Sequence, residues 1–217
     1  MDKIPFNPYD FFGYLASGLL IVVGMQKVAG FPEVLGHDFK IVDGAVLLLA
    51  VYIAGQLMAT PAKAFFEDGI VDKLLKRPST NLFEHKKRRL RFVFPGFYKP
   101  FPEHIRNKVL KKAEDEGVKV TGESLFLHVR FSESVRNDEK LMSRLNSFLN
   151  QYGFNRNLAF TSLVVGVALL AKARFGAEPE LTKYGITAVV AGILLFYRYL
   201  KFFRQYSYEL FNSYGGN

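Results

Sequence analysis

The 217-residue chain contains no cysteine. This absence excludes disulfides and thiolate metal sites, and it leaves the redox state of the compartment undetermined. The four histidines are scattered, and none forms the His-x-x-x-His or Glu-x-x-His spacing by which one helix face holds a metal ion. They are His37, His85, His104 and His128. We therefore expect no metal and no cofactor.

The sequence also lacks the patterns that carry catalysis. It has no glycine-rich phosphate loop, no nucleophile elbow and no pair of carboxylates spaced for acid–base work. Arg77 and His85 do not match the arginine–histidine spacing of some helical ribonucleases, because seven residues intervene and Pro78 breaks the helix. The acidic run at residues 114–116 precedes a glycine and is typical of a solvated helix end. These absences predict that the protein is not an enzyme.

Four apolar windows dominate the rest of the sequence. The mean hydropathy of +0.07 averages these windows with a strongly charged middle segment. About 20 apolar residues are needed to cross a bilayer as a helix. A cleaved signal peptide is the competing interpretation of the first window, but only Lys3 precedes it and no small-x-small cleavage site follows. The windows cover residues 11–25, 39–60, 158–173 and 185–196.

The distribution of charge predicts the topology. Between Pro61 and Arg156, 20 Lys and Arg stand against 12 Asp and Glu, which accounts for nearly all of the net charge of +9. The positive-inside tendency places this segment in the cytoplasm, although the rule weakens for loops longer than about 60 residues. Arg198, Lys201 and Arg204 follow the last window and indicate the same side. We therefore expect a multi-pass membrane protein with both termini and residues 61–156 in the cytoplasm.

This layout predicts an all-α integral membrane protein, in which two transmembrane helical hairpins flank a basic, mostly helical cytoplasmic domain. The first hairpin covers residues 8–60, the domain 61–156, the second hairpin 157–203 and an aromatic cytoplasmic tail 204–217. A domain of about 95 residues buries little apolar surface by itself. We expect it to lean on the membrane helices or on a second copy.

Within the domain, the pattern predicts three helices. An amphipathic helix runs from Pro61 to Arg77, and a second runs from Pro102 to Glu116, where Gly117 ends it. Apolar residues at helical spacing from Leu141 to Tyr152 predict a third helix that leads into the third window.

Residues 83–101 interleave basic and aromatic side chains, and their pattern leaves helix and strand open. The basic residues are Lys86, Lys87, Arg88, Arg89 and Arg91. Contact with anionic lipid explains such a run, since each basic residue gains about 1 kcal/mol near an anionic leaflet. Binding of nucleic acid or of an acidic cytoplasmic protein is the alternative, and an ordinary solvated face is the third interpretation.

Small residues spaced four apart recur in the apolar windows and permit close helix approach. These pairs are Gly55 and Ala59, Ser162 and Gly166, and Ala188 and Gly192. Beyond the fourth window, an apolar stripe continues at three-four spacing through Phe196, Tyr199, Phe203, Tyr206 and Leu210. Such a stripe predicts that the helix continues and packs on helices of its own or a neighbouring chain, and the alternative is an interfacial aromatic belt with a docked tail. We take these positions as helix-packing residues of a homo-oligomer.

Ionisable residues are scarce inside the windows. Asp10, Asp43, Lys172 and Arg174 all fall near window ends. Transporters and proton relays carry such groups deep in their spans. Selective transport by a single chain is therefore disfavoured.

Three stretches carry a family resemblance. Residues 7–15 (NPYDFFGYL), 152–158 (YGFNRNL) and 208–211 (YELF) together resemble small bacterial inner-membrane proteins with four spans, some of them components of antiphage defence loci. The resemblance leaves the basic middle segment uncovered. It implies a four-span protein that acts in defence as a membrane effector.

Two functions of different classes follow. The first is a non-enzymatic oligomer that perturbs or permeates the inner membrane on a cytoplasmic signal. The second is a membrane anchor or scaffold whose basic domain recruits a cytoplasmic protein or nucleic acid. A constitutive channel is a third reading, and it would conduct without any trigger.

Overall fold

A computed structural model describes residues 8–30, 40–84, 89–118 and 122–216. Every regular element among them is helical and none is a strand, which confirms the predicted all-α class. The α-helices are α1 Pro8–Ala29, α2 Ile41–Lys63, α3 Pro78–Asn81, α4 Glu103–Asp115, α5 Gly122–Phe131, α6 Glu133–Arg136, α7 Glu139–Phe175 and α8 Leu181–Gly216. A π-helix covers Ala64–Leu75 and a 3₁₀ turn covers Arg89–Arg91.

Four helical runs are long and apolar enough to cross a membrane: α1, α2 with its continuation, α7 and α8. Helix α7 has 37 residues and α8 has 36, whereas about 20 residues suffice for a span. The predictions that one helix leads into the third window and that another continues past the fourth are therefore confirmed. By length and composition the chain is a helical membrane protein with four candidate spans.

Contacts divide the chain into two compact units. The apolar unit comprises the described residues up to Asp68 together with Gly153–Tyr199, and the basic unit comprises Gly69–Tyr152 together with the residues from Leu200 onward. The sequence of the basic unit holds 20 Lys and Arg against 11 Asp and Glu, whereas the apolar unit holds nine of each. The entire net charge thus belongs to the basic unit.

Glycines set the closest helix contacts of the apolar unit. A Cβ on Gly18 of α1 would overlap the carbonyl oxygen of Val51 in α2, and one on Gly55 would overlap the carbonyl oxygen of Tyr14. A Cβ on Gly166 of α7 would lie 2.8 Å from the backbone nitrogen of Val189 in α8. The backbones meet directly at these points because no side chain separates them.

The two helices predicted on either side of Pro61 form one continuous run. Proline removes one backbone donor from a helix interior, and the chain shifts into the π-helix three residues later. The π-helix ends at Leu75, and Lys76, the residue that follows, has a φ of 65°. Asn81 stabilises this end, because its Nδ2 donates to the carbonyl oxygens of Leu75 at 3.2 Å and Lys76 at 3.0 Å.

The aromatic end of α8 contributes to the core of the basic unit. Leu210, Phe211 and Tyr214 are each at most 1% exposed, and they pack with buried residues of α4, α5 and α7. The Phe83 and Phe211 ring centroids lie 4.9 Å apart. The stripe after the fourth window was predicted to pack on helices of its own chain or of a neighbouring chain. These contacts are made within the chain itself. The predicted helix 102–116 is confirmed as α4, and Gly117 follows it at a φ of +71°.

Candidate functional site

The chain on either side of residues 84–100 is held together. The backbone nitrogen of Phe101 donates to the carbonyl oxygen of Leu82 at 3.0 Å, and the rings of Phe83 and Phe101 lie 5.5 Å apart. We call residues 84–100 the basic–aromatic loop, of which the structure describes residues 84 and 89–100.

The C-terminal limb of this loop, residues 97–99, is packed within the basic unit. Phe97 and Tyr98 are 5% and 6% exposed. Arg204 of α8 donates from Nη2 to the carbonyl oxygen of Lys99 at 2.8 Å, and its guanidinium lies 5.4 Å from the ring centroid of Tyr208. These contacts hold the limb in place through both burial and hydrogen bonding.

The described tip of the loop presents apolar side chains to the surface. Phe92 is 93% exposed, and Leu90 and Val93 are also exposed. Arg91 stands beside Phe92 and is exposed as well. Exposed aromatic and arginine side chains together are typical of the centres of protein interfaces. The tip therefore has the composition of a binding surface.

The predicted basic site is only partly within the described residues. Lys86, Lys87 and Arg88 lie outside them, and so do His37 and His85. Arg89 begins the 3₁₀ turn, and Arg91 ends it. The described part of 82–101 consists of turns with this one 3₁₀ turn, so neither long helix nor strand forms there.

Further basic side chains of the basic unit are exposed outside the loop. They are Lys73, Lys76, Lys108, Lys111, Arg136, Lys140, Arg144 and Lys201. Arg144 is paired with Glu209 at 2.7 Å. An excess of positive charge on one unit raises the rate at which acidic partners associate with it, and salt weakens this effect.

Most predicted helix-packing residues contact their own chain. Gly55, Gly166 and Gly192 sit at backbone contacts, and Ser162 and Tyr199 are buried. Two aromatic members have ring partners: Phe196 stacks on Phe66 at 4.7 Å, and Phe203 lies 5.0 Å from Tyr152. Tyr206 is 8% exposed, while Ala59 and Ala188 are half-buried. Their role in a homo-oligomer stays a prediction.

A largely buried ion pair in the apolar unit escaped the sequence analysis. Arg156 of α7 pairs with Glu67 of the π-helix, and the two side chains are 13% and 15% exposed. The Oδ1 of Asn157 accepts from Arg156 Nε at 3.1 Å and from Nη2 at 3.0 Å. Phe66, beside Glu67, packs its ring 5.9 Å from that of Tyr199. The pair joins two helices that are distant in sequence.

A second polar cluster lies in the basic unit around Glu116. Its Oε2 is 2.6 Å from His128 Nε2 and accepts a 2.7 Å hydrogen bond from Tyr214. Burial alone would raise the pKa of Glu116, but the hydrogen bonds from His128 and Tyr214 and the charges of His128 and Lys112 outweigh burial, so this pKa lies below its ordinary value. The acidic run was predicted to be solvated, and Glu114 and Asp115 are exposed. Glu116 instead contacts His128 and accepts a hydrogen bond from Tyr214.

Within the described ranges, no group of three or more His, Asp or Glu side chains has the arrangement of a metal site. The ion pair and the Glu116 cluster hold helices together rather than converge on a shared empty position. Among the described residues, the helices of the apolar unit and residues 90–93 of the basic–aromatic loop expose large apolar side chains. Together they define the class of the protein as a helical, candidate four-span membrane protein with a folded basic unit.

No protein-family model, curated protein or solved structure matches this chain. The resemblance to four-span defence proteins therefore stays a prediction, and the function has to be argued from the chain's own residues.

Proposed function

We propose that the protein is a non-enzymatic scaffold of the bacterial inner membrane. Four spans anchor it, and its basic unit recruits an acidic cytoplasmic protein through the basic–aromatic loop. The observation that carries this proposal is Phe92, which is 93% exposed beside Arg91 in a segment whose flanking residues Leu82 and Phe101 are hydrogen-bonded to each other. Since the limb behind the tip is fixed, little conformational entropy is lost when a partner binds.

Burial of the other aromatic residues favours a protein partner over nucleic acid. Single-stranded nucleic acid is bound by several aromatic side chains on which successive bases stack. In this loop Phe97 and Tyr98 are buried and Phe94 is half-buried, so among the described loop residues Phe92 is the aromatic side chain that offers a fully open face. One aromatic anchor with aliphatic neighbours and a basic rim suits a protein interface.

Photo-crosslinking in living cells tests the proposal. A photoreactive phenylalanine analogue at Phe92 is expected to give a protein adduct, and the same analogue at Phe131, which is 66% exposed in the same unit, serves as the matched control. Replacing Lys86, Lys87, Arg88, Arg89 and Arg91 by glutamine should abolish the Phe92 adduct. Adducts to lipid or RNA alone would contradict a protein partner.

The second candidate is a defence-type effector that assembles in the membrane and permeates it on a cytoplasmic signal. It is favoured by α2, which leaves a row of aliphatic side chains outside the chain's own packing: Ile41, Val42, Val46, Leu49, Ile53 and Leu57. This face is open to lipid or to α2 of another copy.

Oligomeric mass in mild detergent separates the two candidates. The effector requires a stable closed oligomer, which Leu49→Ala should weaken because it removes packing surface from the open α2 face. The same variant should then lower membrane leakage in cells. A clean monomer would contradict the effector and also a constitutive channel built from several copies.

A further inference from the structure

The apolar unit contains a groove of about 820 Å³ between α1, α7 and α8. Small residues line part of it, among them Gly24, Ser162, Ala188 and Ala191. The walls are aliphatic and include Leu20, Leu158, Val165 and Leu195. This volume lies in the range of about 300–1,000 Å³ typical of ligand sites.

The lining changes character along the groove. Glu178, Glu180, Lys27 and Tyr184 line it near the α7–α8 turn, whereas the lining beyond Tyr184 toward Leu195 is apolar or small apart from two hydroxyls. From Leu181 to Leu195 the α8 wall is about 21 Å long at 1.5 Å per residue. One leaflet of the hydrocarbon core is about 15 Å thick. The groove therefore matches an amphiphile with a charged head and an acyl chain.

The charged end is a built feature of the fold. Lys172 Nζ donates to the carbonyl oxygen of Lys27 at 3.0 Å and pairs with Glu178 at 3.1 Å. Lys172 thereby ties the end of α1 to the α7–α8 turn. Together with Lys172, the mouth holds two lysines and two glutamates, so that both signs of charge meet there in equal number.

We propose that this groove binds one zwitterionic phospholipid with a free ammonium head group. Its phosphate lies at Lys27, its ammonium at Glu180, and an acyl chain runs along α8 toward Leu195. Because the charges at the mouth balance and Glu178 is paired with Lys172, a head group that carries both signs is matched better than an anionic one, whose negative charge would face Glu180 without a compensating ammonium. A site of this kind is independent of the partner bound by the basic unit.

The chain contains no tryptophan, so a single introduced tryptophan reports on the groove alone. Leu195→Trp places the reporter in the lining, and Leu194→Trp is the matched control, since Leu194 is 61% exposed and does not line the groove. Purified, delipidated protein in detergent is titrated with phosphatidylethanolamine or phosphatidylglycerol that carries brominated acyl chains. Fluorescence quenching is the readout.

Phosphatidylethanolamine is expected to quench the Leu195→Trp protein saturably at about one lipid per chain, while the control is quenched only in proportion to bulk bromolipid. Glu180→Gln should weaken this binding about fivefold and remove the preference over phosphatidylglycerol. Ala191→Phe should weaken it about tenfold or more by filling the groove. Glu180 is exposed and leaves the Lys172–Glu178 pair intact, so Glu180→Gln tests the site even if Ala191→Phe fails to fold.

Three results would overturn the proposal. Equal affinity for phosphatidylglycerol would remove the head-group assignment. The absence of saturable quenching by any lipid would remove the site. A drop in oligomeric mass on Ala191→Phe, with unchanged quenching, would assign the groove to a second copy of the chain.

Discussion

Glu67 and Arg156 form an ion pair although 89 residues separate them in the sequence. Both side chains are largely buried, and Asn157 accepts two further hydrogen bonds from the guanidinium. A buried charge is costly when its partner is lost, because the desolvation cost remains without the compensating attraction. The pair therefore fixes the π-helix against α7 within the apolar unit.

Removal of one partner of this pair should destabilise the protein strongly. We expect Glu67→Gln and Arg156→Gln each to lower the free energy of unfolding by about 3 kcal/mol. Thermal unfolding in detergent, followed by far-UV circular dichroism, measures the loss. The control is Arg144→Gln, which breaks the pair with Glu209 where the arginine is 61% exposed. That change should cost less than about 1 kcal/mol, and equal losses at both sites would refute the assigned burial.

Two glycines of α2 should respond oppositely to alanine. At Gly55 the added methyl group overlaps the carbonyl oxygen of Tyr14, so the helices must move apart, at a cost of about 1–3 kcal/mol. At Gly44 the methyl group meets open space, and alanine is expected to be neutral or to stabilise by up to about 1 kcal/mol through helix propensity. Thermal unfolding in detergent, followed by far-UV circular dichroism, measures the change in stability at both positions. Similar losses at both positions would contradict the α1–α2 contact.

The Glu116 cluster predicts a loss of stability in acid. The pKa of Glu116 in the folded protein lies below the value of about 4.3 in the unfolded chain. Its contribution to the free energy of unfolding is therefore complete at pH values above the pKa in the unfolded chain. The contribution then falls as the pH drops through the folded pKa, because the carboxylate becomes protonated. Melting temperatures from pH 6 to pH 3 should therefore fall less in Glu116→Gln than in the wild type. Glu114→Gln, on the exposed side of the same turn, should keep the wild-type slope, and identical slopes in all three proteins would rule out this role.

Two phenylalanines of the basic–aromatic loop should separate stability from binding. Phe92→Ser is expected to change the free energy of unfolding by less than about 0.5 kcal/mol, because the side chain is exposed. Phe97→Ala should cost about 3 kcal/mol, because Phe97 is 5% exposed. In the crosslinking experiment, with the photoreactive analogue moved to Val93, Phe92→Ser should reduce the protein adduct severalfold. An undiminished adduct would show that Phe92 is not the anchor.

Local pattern was enough to predict the long helices, but not α3, α5 or α6. Uncharged windows, helical spacing from Leu141 to Tyr152 and the stripe after Phe196 each depend on residues within a few turns of one another, and α7 and α8 confirm them. Gly117 likewise marked the end of α4 correctly. Such signals survive because helix formation and capping are local.

The contacts between distant segments could not be predicted in the same way. Nothing near Glu67 in the sequence points to Arg156, and nothing near Phe83 points to Phe211. The small-residue pairs indicated close packing, but spacing alone does not say whether the neighbour is the same chain or another. The tip of the basic–aromatic loop was also missed, since exposure of Phe92 depends on burial of Phe97 and Tyr98 behind it.

The most direct test of the proposed scaffold is its topology, and the absence of cysteine makes that test clean. Single cysteines at Phe92 and at Ala177, which is exposed in the α7–α8 turn, are labelled in spheroplasts with a membrane-impermeant maleimide. The account predicts that Ala177→Cys is labelled in intact spheroplasts and that Phe92→Cys is labelled only after lysis. Labelling of both cysteines from the outside, or of neither, would contradict a four-span anchor that holds the basic unit in the cytoplasm.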